Sequence, residues 1–258
     1  MLPSIFVSHG APTPPLDGCP SREFLTGLGA TLPRPRAVLA VSAHWDNAAP
    51  AVNRVAVNDT IHDFYGFPEA LYRLHYPAPG SPELAGRTQQ LLSEAGLRAD
   101  ADDARGLDHG AWVPLMLMYP QTDIPVVQLS IQSHLGPEHH LKLGRALVSL
   151  RSDDVLVLGS GGFTHNLRAL DCWRLDGPER PWVGEFSDWV HAALSEGRTG
   201  DLTAYRRLAP HAADAQPEED HFMPLFVALG AGGVGAGAKR LHRSTTFGSL
   251  RMDAYAFS

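Results

Sequence analysis

Short apolar segments with strand character alternate with helical patterns along almost the whole chain. Runs of β-branched and other apolar residues predict strands at 4–8, 37–43, 125–131, 154–159 and 249–257. Helical periodicity predicts helices near 22–29, 82–95, 110–119, 138–150, 181–195, 200–208 and 220–229. Strands that alternate with helices form βαβ units, so we predict an α/β fold with a largely parallel central sheet flanked by helices.

The predicted helix at 82–95 has clear end signals. Ser81 can cap its first turn, Pro82 suits the first helical position, and Gly96 closes it. The chain has no internal repeat, no low-complexity tract and no linker long enough to separate two domains. Its 258 residues, 44% of them hydrophobic, suffice for a sizeable core, so we predict a single domain over residues 1–258.

The composition argues against several classes of partner. A net charge of -7 at pH 7 lacks the basic surface that binding to nucleic acid or an anionic membrane usually needs. The longest weakly polar run, at 226–238, is too short and too rich in glycine to span a bilayer. No signal peptide precedes the first strand, and Cys19 and Cys172 have no paired spacing, so we expect a soluble protein of the reducing cytoplasm.

Three of the predicted strands end close to a histidine. His9 follows the first strand, His44 the second and His165 the strand at 154–159. Ligands of open α/β sheets bind outside the carboxyl ends of the strands, so these three side chains can converge there. Neutral imidazole is the commonest metal ligand, and we therefore predict a metal site at the strand carboxyl ends.

A further histidine, His221, lies at the start of an apolar helix and follows three carboxylates. Glu218, Glu219 and Asp220 could favour the helix N-terminus through its dipole. One of them could instead complete a site of two histidines and one carboxylate, or orient His221 by a hydrogen bond. The spacing alone leaves these alternatives open.

His109 and His165 have neighbours that suit a binding site. His109 opens an apolar helix next to Asp108, which could be a helix cap and nothing more. His165 follows the glycine-rich run at 159–162, where a ligand can approach the backbone closely. That run lacks the Lys-Ser/Thr of a P-loop and the spacing of a dinucleotide fingerprint, so we do not expect a phosphate site.

The aromatic residues of the segment 60–80 admit two interpretations. They could pack as a separate small hydrophobic cluster, or they could border the histidines and offer an apolar wall and phenol donors to a flat aromatic ligand. Among the remaining histidines we expect no special role for four, of which the first two are predicted to lie on or near a solvated helix face: His139, His140, His191 and His242.

The sequence resembles the class III extradiol ring-cleavage dioxygenases in six motifs that follow one another in order across almost the whole chain. They are SHG at His9, SAHW at His44, HDFYGFP at His62, DHGAWVPL at His109, GSGGFTHNL at His165 and DHFMPL at His221. The closer likeness is to the 4,5-DOPA extradiol dioxygenase-like branch of that family. Six separate motifs make the resemblance specific, whereas one alone would be weak.

The resemblance implies one α/β domain with a single mononuclear divalent metal, normally Fe(II), at which a catecholate and O2 bind side by side. By motif, His9, His44 and His221 correspond to metal ligands. His165 and His109 correspond to acid–base residues around the bound ring, and His165 could also be a fourth ligand. The family usually has a carboxylate where this chain has His221, and three imidazoles also suit Zn(II), so the isolated protein could carry zinc.

We therefore expect a metal-dependent extradiol dioxygenase that opens the ring of a DOPA-like catechol with O2. The rival hypothesis is a zinc-dependent hydrolase, because three histidines around Zn(II) with one open position activate water without O2. A metal-binding scaffold without catalytic activity is the third hypothesis.

Overall fold

The computed structural model describes residues 1–171 and 174–258, in which ten strands form two sheets. The strands are β1 (Ser4–Ser8), β2 (Ala37–Asp46), β3 (Ala51–Asn53), β4 (Asp100–Asp102), β5 (Val126–Ile131), β6 (Val155–Gly161), β7 (Ala238–His242), β8 (Thr245–Thr246), β9 (Leu250–Arg251) and β10 (Ala254–Phe257). The central sheet has the spatial order β4-β3-β5-β2-β6-β1-β10-β7, and β8 and β9 form a separate pair.

The middle of the central sheet is parallel. The strand β2 pairs in parallel with β5 on one side and β6 on the other, and β6 pairs in parallel with β1. Along β2, Val38 packs into the hydrophobic core on one face of the sheet and Leu39 packs into the core on the other face. Strands buried on both faces are typical of βαβ architecture, and the predicted α/β fold is confirmed.

Ten α-helices lie in the described part of the chain. They are α1 (Pro20–Thr31), α2 (Glu69–Tyr72), α3 (Pro82–Glu94), α4 (His109–Met118), α5 (Gly136–Ala146), α6 (Pro181–Ser195), α7 (Thr199–Thr203), α8 (Tyr205–Leu208), α9 (Ala212–Ala215) and α10 (Met223–Gly232). Helices α1 and α4 cover one face of the sheet, and α5, α6 and α10 cover the other. None of the helices described is long and apolar enough to cross a lipid bilayer.

The start of α3 agrees with its sequence signals. Ser81 Oγ accepts a hydrogen bond of 3.1 Å from the backbone N–H of Leu84, and Pro82 is the first helical residue. A capping bond of this kind satisfies one of the N–H groups that the first helical turn leaves without a partner.

Several predicted elements differ from those in the structure. The strand predicted at 249–257 is divided into β9 and β10, because β9 pairs with β8 whereas β10 pairs with β1 and β7 in the central sheet. The helix predicted at 200–208 is interrupted at Ala204, and the helices predicted at 138–150 and 220–229 each include a segment of 3₁₀ helix. The strands β3, β4, β7 and β8 are short or polar and were not predicted.

The predicted solvated position of His140 was wrong. Its side chain is fully buried, Nε2 accepts a hydrogen bond of 3.1 Å from the backbone N–H of Gln132, and Nδ1 lies 2.7 Å from the carbonyl oxygen of Gly136. The neighbouring ring of His139 is half-buried. The helix α5 turns His140 toward the end of β5, and this contact depends on tertiary packing rather than on helical periodicity.

Candidate metal centre

Three histidines from distant parts of the chain meet at the carboxyl ends of the parallel strands. His9 directly follows β1, and His44 lies in the last part of β2. His221 lies in a 3₁₀ turn before α10, and its carbonyl oxygen accepts a hydrogen bond of 2.8 Å from the N–H of Gly162, just beyond β6. The sheet and α10 therefore fix the backbone positions of all three rings.

The ring nitrogens of these histidines converge on one point. His44 Nε2 lies 3.0 Å from His9 Nε2 and 3.2 Å from His221 Nε2. The three possible ligand atoms all lie within 4.8 Å of one another. His9 and His221 are buried and His44 is half-buried, so the group is open to solvent on one side only.

The opposite ring nitrogen of each histidine lies near an oxygen atom. His9 Nδ1 lies 3.0 Å from Ser160 Oγ, whose own proton is donated to the carbonyl oxygen of Gly110. Ser160 Oγ must therefore accept from His9 Nδ1–H, which leaves His9 Nε2 unprotonated. Similarly, Asp63 Oδ2 lies 3.4 Å from His44 Nδ1, and Asp220 Oδ2 lies 3.1 Å from His221 Nδ1.

The electrostatics of the cluster favour neutral imidazoles. Burial, together with the neighbouring histidines, holds the pKa of His9 and of His221 well below the usual value. Burial also lowers the pKa of His44 to about 4. Neutral rings whose Nε2 atoms converge form a donor set suited to a cation, and the hydrogen bond from His9 Nδ1 to Ser160 Oγ is the kind of outer contact that metal-binding histidines usually have.

Gly110 makes the close approach of these rings possible. A Cβ atom at this position would lie 2.3 Å from Ser42 Oγ and 3.0 Å from His44 Cδ2. Any other residue would therefore push the end of β2 away from the start of α4.

His109 lies beside the cluster and is held by a carboxylate. Asp63 Oδ1 accepts hydrogen bonds from the backbone N–H of His109 (2.9 Å) and from its Nδ1 (3.0 Å). Burial raises the pKa of Asp63, but its hydrogen bonds and electrostatic interaction with His109 outweigh burial and lower the pKa to about 2. Asp63 is therefore ionised at neutral pH and touches both His109 and His44.

His165 occupies a different position from the other histidines. Its ring stacks on that of His221 with the centroids 3.4 Å apart and an angle of 8° between the planes. The ring nitrogens of His165 form a group with Asp220 and His221 rather than with His9 and His44. Burial lowers the pKa of His165 to about 4, so that its ring is neutral at neutral pH.

A cavity of about 270 Å³ lies over the histidines and reaches the surface. Its inner lining includes His44, His109 and His165. Phe64 and Phe67 of the aromatic segment also line it, which agrees with the interpretation of that segment as an apolar wall. The expected phenol donors are elsewhere, because Tyr65 is 92% exposed and the buried Tyr76 donates its hydroxyl to Tyr119.

The carboxylates near His109 and His221 have distinct positions. Asp108 caps α4 by accepting a hydrogen bond from Ala111 N, as one interpretation of the sequence held, and it also accepts one from Ser42 Oγ in β2. Asp220 is the carboxylate next to His221, whereas Glu219 accepts a hydrogen bond from Tyr205 and Glu218 is exposed.

Sequence reasoning did not single out Asp63, Ser160 or Phe247. Asp63 lies in an irregular loop, and its only signal is its place in the HDFYGFP motif. Ser160 lies inside the glycine-rich run, and a serine among glycines carries no distinct signal of its own. Phe247 lines the cavity from a turn that periodicity cannot predict.

Comparisons with known proteins agree with this arrangement. Residues 22–255 match the family model of the catalytic LigB subunit of aromatic ring-opening dioxygenase. The chain is 46% identical over 259 residues to a 4,5-DOPA dioxygenase extradiol of Beta vulgaris, an alignment that covers 99% of this chain and 96% of the relative. It is 40% identical over 232 residues to a protein of the same name from Escherichia coli (strain K12), with 89% and 85% covered.

A solved structure supports the same fold. The crystal structure of the uncharacterized protein JW3007 from Escherichia coli K12 superimposes with a TM-score of 0.82 at 33% sequence identity and covers 100% of both chains. The matches favour the dioxygenase over the zinc hydrolase that the histidines alone had left open. The chain thus belongs to the family of the catalytic LigB subunit of aromatic ring-opening dioxygenases and is an extradiol ring-cleavage dioxygenase.

Proposed function

We propose that His9, His44 and His221 bind one divalent metal and that the enzyme opens the ring of a catechol with O2 at this metal. The convergence of three Nε2 atoms, with 3.0 Å and 3.2 Å between neighbours, is the observation that carries the proposal. Relatives named for DOPA make L-DOPA and simpler catechols the first substrates to test. We propose further that residues 1–258 act as one catalytic domain and that the protein works in the cytoplasm.

The donor set suits the proposed metal. Ferrous ion, when bound, would bring the catecholate and O2 together and pass electrons from the catecholate to O2. Zn(II) lies above Fe(II) in the usual order of affinities and also suits imidazole ligands, so metal availability decides which ion the isolated protein carries. Fe(II) is our proposal for the catalytic metal because Zn(II) has no redox chemistry to offer O2.

The remaining histidines have separate proposed roles. His165 stacks on His221 and lines the cavity, from which its ring can take a proton from a bound catechol or return one. His109 also lines the cavity, and its Nδ1 contacts the ionised Asp63, so its Nε2 is the atom that can accept a proton from the substrate. These two residues are our candidates for acid–base catalysis.

The test combines metal analysis with oxygen uptake. Metal-free protein is loaded anaerobically with Fe(II) or Zn(II) and assayed in an oxygen electrode with catechol and L-DOPA. We expect uptake and a ring-opened product with Fe(II) only. Equal uptake by the zinc form would overturn the redox role of the metal, and turnover without O2 would support the zinc hydrolase instead.

Single substitutions test the ligand set. His9→Ala, His44→Ala and His221→Ala should each lose stoichiometric Fe(II) while circular dichroism reports an intact fold. His75→Ala is the matched control, because His75 is an exposed histidine and is not part of the cluster. Full metal content in any of the three variants would remove that residue from the ligand set.

A further inference from the structure

The cavity over the histidines has one side made only of hydrocarbon. We call this side the apolar wall, and it consists of Phe64, Phe67, Leu167, Leu170, Phe247 and Leu250. These residues come from three separate segments of the chain, yet each places an aromatic or aliphatic side chain on the same cavity. An apolar lining of this kind is typical of small-molecule binding sites.

Charged side chains are absent from the described lining of the cavity. Apart from the histidines, every lining residue is glycine, alanine, proline, phenylalanine or leucine. The two residues outside the described ranges, 172 and 173, are a cysteine and a tryptophan. Arg168 is the nearest cation along the chain to Leu167, but it is exposed on the 3₁₀ turn and is not part of the lining.

Phe247 lines the wall in a strained backbone conformation. Its φ is 53°, a left-handed conformation that is a genuine outlier for a bulky residue. Two backbone hydrogen bonds hold it there, from Phe247 N to Leu175 O (3.0 Å) and from Asp171 N to Phe247 O (2.9 Å). Asparagine or glycine would suit this backbone better, so the phenyl ring itself is the feature that explains the residue.

We propose that the apolar wall binds an uncharged, apolar substituent of the catechol ring, and that Phe247 is a specificity-determining residue for it. This inference rests on the proposed function, since it concerns the part of the substrate that does not react. The wall should disfavour an amino-acid substituent on the catechol ring, because a carboxylate or ammonium group against the wall would lose its bound water without gaining a hydrogen-bond partner.

A homologous series of substrates measures the preference. We expect kcat/KM of the Fe(II) enzyme to rise by about fourfold per added methylene from catechol through 4-methyl- and 4-ethyl- to 4-propylcatechol, as burial of hydrocarbon predicts. L-DOPA and 3-(3,4-dihydroxyphenyl)propionate carry charged groups on a chain of the same length. We expect each to have a kcat/KM at least about tenfold below that of 4-propylcatechol.

A binding measurement gives a readout that needs neither metal nor turnover. Isothermal titration calorimetry of the metal-free protein should show tighter binding of 4-propylphenol than of 3-(4-hydroxyphenyl)propionate. In Phe247→Asn each added methylene should raise kcat/KM by a factor close to one, that is, hardly at all. The thermal midpoint of this variant should stay at or above that of the wild type, because asparagine tolerates a positive φ. Tyr65→Ser is the control, since Tyr65 belongs to the same loop as Phe64 but is 92% exposed.

The outcomes separate the two proposals. If the Fe(II) enzyme consumes no oxygen with catechol or with any substituted catechol, the proposed function fails. If catechol is cleaved but the alkyl series is flat, or if L-DOPA or the propionate exceeds 4-propylcatechol, only the apolar preference is overturned. A loss of activity toward the charged substrates in Arg168→Ala, with these substrates preferred by the wild type, would assign specificity to that arginine instead.

Discussion

The carboxylate of Asp63 binds His109 twice, through the backbone N–H at 2.9 Å and through Nδ1 at 3.0 Å. Its second oxygen lies 3.4 Å from Nδ1 of His44. One carboxylate thus contacts both a proposed metal ligand and a proposed acid–base residue. It fixes the tautomer of His109, and it ties the loop at 54–68 to the start of α4.

We predict that Asp63→Asn lowers kcat with catechol by about 10–100-fold, because partners of this kind typically contribute on that scale. The amide oxygen can still accept both hydrogen bonds from His109, so the variant should fold and lose only the negative charge. The measurement is oxygen uptake together with iron content. Asp59→Asn is the matched control, since Asp59 is an exposed carboxylate in the same loop. Wild-type kcat in Asp63→Asn would show that the contact has no catalytic consequence.

His165 should matter for rate more than for metal content. Its ring lies against His221 and in the cavity, but its nitrogens do not join those of His9 and His44. We expect His165→Ala to lose about 10²–10⁴-fold in kcat, the usual contribution of an acid–base group. Iron stoichiometry, measured on the same preparation, should stay near that of the wild type. Loss of iron in parallel with activity would make His165 a fourth ligand.

Much of the fold and part of the site could be predicted from the sequence. The apolar strands β1, β2, β5 and β6 are visible because their residues are buried on both faces, and the histidines at or just beyond the ends of three of them identify the binding edge. Asp63 and Phe247 could not be predicted from pattern, because irregular loops have no periodicity and their contacts arise only when distant segments meet. His140 was misplaced for the same reason.

Contact between α5 and α10 depends on two glycines. A Cβ atom on Gly144 would lie 2.1 Å from Val227 O, and one on Gly230 would lie 2.3 Å from Leu141 O. We predict that Gly144→Ala lowers the free energy of unfolding by about 1–3 kcal/mol or more, because the helices must separate. Gly86→Ala is the matched control in α3, where a Cβ meets nothing within 4 Å, and it should add about 0.4–1 kcal/mol. Denaturant unfolding of both variants measures the difference, and equal stabilities would contradict the packing argument.

His140 gives the protein a stability that depends on pH. Its Nε2 accepts from the N–H of Gln132, which requires the neutral ring, whereas the bond from its Nδ1 to the carbonyl oxygen of Gly136 survives protonation. Burial is the main cause that lowers its pKa to about 4, from an ordinary value of 6.5. The unfolded chain therefore binds a proton at this residue more readily than the folded protein does between pH 6.5 and about 4.

The contribution of His140 to stability is fully present above pH 6.5 and is lost as the pH falls toward about 4. A shift of this size corresponds to about 3 kcal/mol. We predict that the free energy of unfolding falls between pH 7 and pH 4.5 by about 2–3 kcal/mol more in the wild type than in His140→Asn, as measured by denaturant titration at both values.

The buried histidines of the metal centre titrate in both proteins, so their effect cancels in this comparison. His134→Asn removes an exposed histidine near α5 and should keep the wild-type dependence on pH. A parallel loss in wild type and His140→Asn would show that His140 does not stay neutral in the folded protein.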